Sequence, residues 1–273
     1  MRQKLILVLF LIPSLLGVVR AQADSPPNYL QLYDNFNELW LDPAKWAPTP
    51  TCSETQFLDT TASINVVDCI RAIEANKLRL MVRAYGNVDS DTDMQFGPSE
   101  LYFADPEAIN TINVAFRIAH SESVACPFNR SDSIGQVLIG GNFFNSGNGN
   151  PLDDVTAFVM VRRGPTLTKQ DVLAGAAVFS KNIFYGWVDL GTPDLDGTLH
   201  VTVSWDQPNH RFRFRLVSAS GDHNGNVPYI GPDSLSPAEP MKLLAARTFA
   251  PNCTTQPTSA TMDVLFDNVF VNQ

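Results

Sequence analysis

The feature that most constrains this chain is a period of two. In Lys77-Leu78-Arg79-Leu80-Met81-Val82-Arg83-Ala84, the residues Leu78, Leu80, Val82 and Ala84 fall on one face and Lys77, Arg79 and Arg83 on the other. The alternation returns at Ile112, Val114, Phe116 and Ile118, at Leu199, Val201, Val203 and Trp205, and at Phe212, Phe214 and Leu216 against Arg211, Arg213 and Arg215. This is the signature of strands buried on one face. Val137 to Ile139, Val155 to Val161, Ala174 to Phe179 and Ile183 to Val188 are apolar on both faces, which predicts central strands covered on each side. Ile64 to Ile70 predicts a further strand, and Asp206-Gln207-Pro208-Asn209-His210 a tight hairpin connection. Only Pro237 to Arg247 offers room for a short helix. Many short strands, Gly/Pro/Asn turns and almost no helical period predict an all-β fold built as a sandwich.

The two ends of the folded part look alike. Tyr33-Asp34-Asn35-Phe36 continues into Leu41-Asp42-Pro43-Ala44-Lys45-Trp46, and Leu265-Phe266-Asp267-Asn268-Val269 closes the chain, which suggests neighbouring strands. The combination resembles the concanavalin A-like lectin/glucanase superfamily. The resemblance implies a two-sheet antiparallel jelly-roll β-sandwich, with one flat or convex sheet and one concave sheet, that binds or cleaves glycans.

The chain opens with Arg2 and Lys4, runs apolar from Leu5 to Val19 and reaches Ala21-Gln22-Ala23 before Asp24. This pattern predicts a cleaved signal peptide over residues 1–23, one sandwich domain over 24–273, and a secreted product, periplasmic if the host is a Gram-negative bacterium. The apolar run is shorter than the roughly twenty residues of a membrane span, and no later stretch is long enough to be one. The formal net charge is −9, and removing the leader takes away Arg2, Lys4 and Arg20 but no acid. Such a chain is a poor partner for nucleic acid, where Lys and Arg must replace phosphate counterions.

Four cysteines, Cys52, Cys69, Cys126 and Cys253, read as two disulfides in an exported chain. Of three connectivities, Cys52–Cys69 with Cys126–Cys253 is favoured, because the first closes a short, turn-rich loop. Asn129-Arg130-Ser131 and Asn252-Cys253-Thr254 are N-glycosylation sequons.

Catalysis has no local signature. The laminarinase-type enzymes of the superfamily carry Glu-x-Asp-x-x-Glu on one strand, so that alternation turns the acids to one face. Here the positions two after each glutamate are Trp40, Gln56, Asn76, Tyr102, Ile109, Val124 and Met241, none of them acidic. No Gly-x-Ser-x-Gly elbow occurs either. A dispersed site would have to draw on Glu100, Asp153, Asp154 and Asp189, and a purely structural or adhesive protein is the remaining alternative.

Binding has two candidates. Gly140 to Asp154 holds Asn142, Phe143, Phe144, Asn145, Asp153 and Asp154, the amides, carboxylates and aromatic rings that hold hydroxyl pairs and cover the apolar face of a sugar. Trp187 is the best second aromatic, with core packing as its alternative role. These residues predict a polysaccharide or other glycan as ligand. Asp89, Asp91, Asp93 and Glu100 follow part of the spacing of a calcium loop and suggest Ca2+, although Met94 stands where that loop needs Gly. Finally, Lys77, Arg79, Arg83, Arg211, Arg213 and Arg215 would form a basic stripe if their strands were neighbours, or would pair with Asp and Glu across strands.

Overall fold

The computed structural model describes residues 29–48, 67–129, 132–163 and 173–272. Within them the chain runs through β1 (Gln31–Asp34), β2 (Val67–Glu74), β3 (Lys77–Tyr85), β4 (Met94–Tyr102) and β5 (Thr111–Val124). There follow β6 (Ile134–Asn145), β7 (Asp154–Arg163), β8 (Leu173–Phe179) and β9 (Phe184–Asp189). The last five are β10 (Leu199–Asp206), β11 (Arg211–Ser218), β12 (Gly221–Pro228), β13 (Lys242–Pro251) and β14 (Ser259–Asn272). Two antiparallel sheets result. An eight-stranded sheet has the order β12-β11-β10-β5-β14-β3-β2, with β1 also paired to β14, and a six-stranded sheet has the order β4-β13-β6-β7-β8-β9. This is the all-β jelly-roll sandwich expected. Its only helical pieces among the described residues are short 3₁₀ turns at Pro151–Asp153 and Gln207–Asn209.

The two terminal segments pair as expected, Gln31 opposite Val271 and Leu32 opposite Phe270. Asn268 lies in the left-handed region, φ 46°, at a bulge between Asp267 and Val269. Asn tolerates that conformation, and the bulge falls where β14 passes from pairing with β3 to pairing with β1. The opening segment is fastened through one buried carboxylate. Asp34 accepts from the Phe36 amide at 2.8 Å, in a turn that puts Phe36 at φ 54°, and from Trp46 Nε1 at 2.7 Å. Tyr33, Phe36, Trp46 and Phe103 then pack with ring centroids 4.8–5.8 Å apart.

The alternating strands bury the faces the pattern marks: Leu78, Leu80 and Val82, Ile112, Val114 and Phe116, Val201 and Val203, Phe212, Phe214 and Leu216. They meet Val137, Ile139, Ala157, Val159, Val161, Ala174, Ala176 and Val178 from the other sheet in one core. Two expectations fail, and of the two readings of the basic residues the stripe is the one excluded. Pro237 to Arg247 contains no helix and enters β13 instead. Ile183 to Val188 is an edge strand, its second apolar face pointing outward with Phe184 and Trp187 exposed. The basic strands β3 and β11 are separated by β14, β5 and β10, so no continuous stripe forms.

Cross-strand pairing accounts for most of those basic residues. Lys77 pairs with Asp267, Arg79 with Asp263 and Glu74, Arg211 and Arg213 with Asp206, and Arg215 with Asp222. Cys126 and Cys253 are bonded as expected, Cα atoms 5.4 Å apart, tying the end of β5 to the loop after β13. Cys69 is also disulfide-bonded; its expected partner, Cys52, lies outside the described residues.

Candidate ligand-binding face

The Gly140 to Asp154 segment folds inward rather than presenting itself to a ligand. A bulge between Asn142 and Phe144 breaks the alternation, so both consecutive rings turn into the core. Phe144 is 1% exposed and stacks on Trp205 at 5.1 Å and against Tyr229 at 4.7 Å. Phe143 meets Phe212 edge-on at 5.1 Å, with Lys242 Nζ 4.4 Å over its ring. The polar residues hold the chain together. Asn142 accepts from Thr156 Oγ1 and donates to the Glu239 carbonyl. Asn145 accepts from the Gly147 and Gly149 amides and donates to the Asn150 carbonyl and to Asp154. Asp154 in turn accepts from the Ala238 and Glu239 amides at 2.8 Å each. Asp153 stays partly exposed beside the 146–150 turn. Of the expected sugar contacts, only Trp187 offers an exposed ring.

The acidic loop does not assemble a calcium centre. Asp91 uses its carboxylate to accept from the amide and hydroxyl of Thr254, both at 2.8 Å. The one cluster of three ligand-type atoms among the described residues joins Asp91 to Cys126 and Cys253, whose sulfurs are already bonded to each other. Glu100 is taken up elsewhere, accepting from Arg247 Nε at 2.7 Å and from the Tyr102 hydroxyl. Burial and the neighbouring Glu100 carboxylate push the Tyr102 phenol well above its ordinary pKa. The donor set Asp89, Asp91, Asp93 and Glu100 therefore does not fit Ca2+.

What the fold does assemble is the outer face of the six-stranded sheet. Register places Tyr102, Leu243, Gly140, Phe158, Ala177 and Trp187 in one row across the six strands. The adjacent row runs Glu100, Ala245, Leu138, Met160, Gly175 and Asp189. Leu138, Leu243 and Ala245 pack with Tyr102, Phe158, Met160 and Met241 into an apolar floor on this face. That explains why the central strands read as apolar on both sides.

Trp187 stands at the β9 edge, 42% exposed, with its six-membered ring laid over Gly175. A methyl group at Gly175 would occupy the place of the indole, so the bare backbone is what lets the ring lie against the sheet. Gln136, Arg162 and Arg247 share a third row on the same face. Sequence reasoning missed Phe158, Met160, Gly175 and Arg247, and the signal for them was the second apolar face of Val155 to Val161 and Ala174 to Phe179.

Catalytic geometry is unfavourable here. The outward positions of β7 are Thr156, Phe158, Met160 and Arg162, and the acids of the second row stand on the edge strands β4 and β9. Five strand spacings of about 4.8 Å put Glu100 and Asp189 roughly 24 Å apart, whereas paired glycosidase carboxylates stand about 5–9.5 Å apart.

No family model matches the chain, and no curated protein matches its sequence. Among solved structures it aligns at low identity with lectins, an endo-β-galactosidase and a protein named as a β-glucanase. One is the winged bean acidic lectin complexed with methyl-α-D-galactose, at 11% identity and TM-score 0.37, covering 77% of this chain and 94% of the lectin. A second is the endo-β-galactosidase from Clostridium perfringens that releases GlcNAcα1-4Gal, at 11% identity and TM-score 0.42, covering 89% and 62%. A third, from Mycobacterium abscessus, carries the name of a β-glucanase, at 13% identity and TM-score 0.40, covering 89% and 98%.

Proposed function

We propose that this is a secreted glycan-binding β-sandwich protein that holds its sugar on the outer face of the six-stranded sheet and cleaves nothing. The observation that carries the reading is Trp187: an indole laid over Gly175 beside Phe158 and Met160, with ring surface still open to solvent. An aromatic face of this kind covers the C–H side of a pyranose, while polar groups such as Arg162 and Asp189 serve its hydroxyls. The 24 Å between the end carboxylates argues against hydrolysis by an acid pair. Export is supported by the leader pattern and by the Cys126–Cys253 bond, since disulfides persist in oxidising compartments.

A glycan array on the purified protein, with reducing-end release followed in parallel, tests the proposal. Binding without release is expected, and Trp187→Ala should weaken it by about 1 kcal/mol, roughly fivefold in Kd. A protein that binds no glycan supports the structural reading instead, and release of reducing ends overturns the non-catalytic one.

A further inference from the structure

The eight-stranded sheet has an outer face of its own. Arg211, Arg213 and Arg215 project from β11 while Phe212, Phe214 and Leu216 fill the core, so successive arginines stand about 7 Å apart along the strand. Beside Arg213 lie Ser204 on β10 and Asn226 on β12, and beside Arg215 lie Thr202 and Asn224. Asn113 on β5 donates to Thr202 Oγ1 at 2.7 Å and extends the polar floor. Together they line a shallow trough of about 550 Å³ whose lining contains no Asp or Glu.

The two carboxylates that meet the row lie at its ends. Asp206 accepts from both Arg211 and Arg213 through the same oxygen, and Asp222 takes Arg215 through three hydrogen bonds of 2.7, 3.0 and 3.2 Å. Three guanidinium groups therefore share two carboxylates, an excess of positive charge in a chain whose formal net charge is −9. Arg213, at the middle of the row, is 54% exposed and gives Asp206 a single terminal nitrogen. A guanidinium has five N–H donors in a fork that matches a carboxylate or a sulfate. The surrounding amides and hydroxyls suit sugar hydroxyl groups. The trough presents no exposed aromatic ring for stacking bases, which disfavours a nucleic acid as its occupant.

We propose that this trough is a second binding site, for an acidic saccharide whose carboxylate or sulfate group sits at Arg213 between the flanking asparagines. It is separate from the Trp187 face, on the other sheet, and does not depend on it.

The test is affinity electrophoresis or calorimetry of the full chain at low ionic strength with polygalacturonate as the carboxylate probe and dextran sulfate as the sulfate probe. Neutral dextran and a single-stranded oligonucleotide are the controls. At least one acidic polysaccharide should bind, with affinity falling as salt is added, and which one binds identifies the anion. Arg213→Gln and Asn226→Asp, both at exposed positions, should each weaken binding tenfold or more without lowering Tm. Trp187→Ala should bind the acidic polysaccharide as the wild type does. The proposal is overturned if neither acidic polysaccharide binds, if both variants bind unchanged, or if the oligonucleotide binds equally well.

Discussion

Replacing Asp154 by alanine should unfold the protein more easily rather than weaken its hold on a sugar. The carboxylate is 4% exposed and accepts three hydrogen bonds: from Asn145 Nδ2 at 2.7 Å and from the Ala238 and Glu239 amides at 2.8 Å each. It thereby fastens the connection that leads into β13 to the start of β7. Removing it leaves two backbone N–H groups and an amide without their acceptor. Hydrogen bonds to a charged group contribute about 1.5–3 kcal/mol each and are not additive, so a loss of about 4 kcal/mol is expected. For a chain of this size that corresponds to a fall in Tm of roughly 8–16 °C. Asp154→Asn should recover little, because its NH2 group would face a backbone N–H donor. Thermal unfolding followed by circular dichroism reads the stability, and glycan affinity measured well below Tm should be unchanged. If Asp154→Ala melted with the wild type and lost its ligand instead, the assignment of this residue as a staple would be wrong.

Two further outcomes are expected. Burial lowers the Lys242 ammonium to about 7, against the opposing pull of Glu107 and Asp105, while Nζ donates to the Pro106 and Asn142 carbonyls at 2.7 and 2.9 Å. Between pH 7 and the roughly 10.4 of a free lysine, the unfolded chain holds a proton that the native chain has released. Stability relative to Lys242→Met should therefore rise with pH across that window, by up to about 1.4 kcal/mol per unit, and a flat difference between the two denaturation curves would refute the shift. Both sequon asparagines are buried and engaged: Asn129 donates to the Asp93 and Asn252 carbonyls, and Asn252 accepts from the Asn87 amide and from Gln95. Protein secreted from a eukaryotic host should show no mass change on enzymatic removal of N-glycans; a shift at either position would contradict that burial.

The strands were legible because alternation is a local property. Lys77 to Ala84 and Arg211 to Leu216 declare a buried and a solvated face within eight residues. The likeness of the two chain ends likewise pointed to the β1–β14 pairing. The site was not legible for the opposite reason. Phe143 and Phe144 look like one inward and one outward ring until a bulge turns both inward. Asn142, Asn145 and Asp154 have the chemistry of a sugar site, yet Asn145 is spent on the turn beside it, and Asn142 and Asp154 bond a loop carbonyl and loop amides 84 to 97 residues away, at Ala238 and Glu239. The face that remains open is set by register across six strands, and Trp187 over Gly175 joins residues whose relation depends on how β8 pairs with β9. Nothing in either segment alone states that pairing.

The central claim is that Trp187, lying over Gly175, is the platform for the sugar, and titration of Gly175→Ala with a neutral glycan that the wild type binds tests it most directly. The added methyl meets the far end of an exposed side chain, which can swing away, and alanine lowers the entropy of the unfolded chain, so Tm should hold or rise slightly. The indole, however, must leave the sheet. The account predicts that affinity falls to the level of Trp187→Ala while the fold is kept. Wild-type affinity in both variants would contradict it, and would place the sugar away from this face.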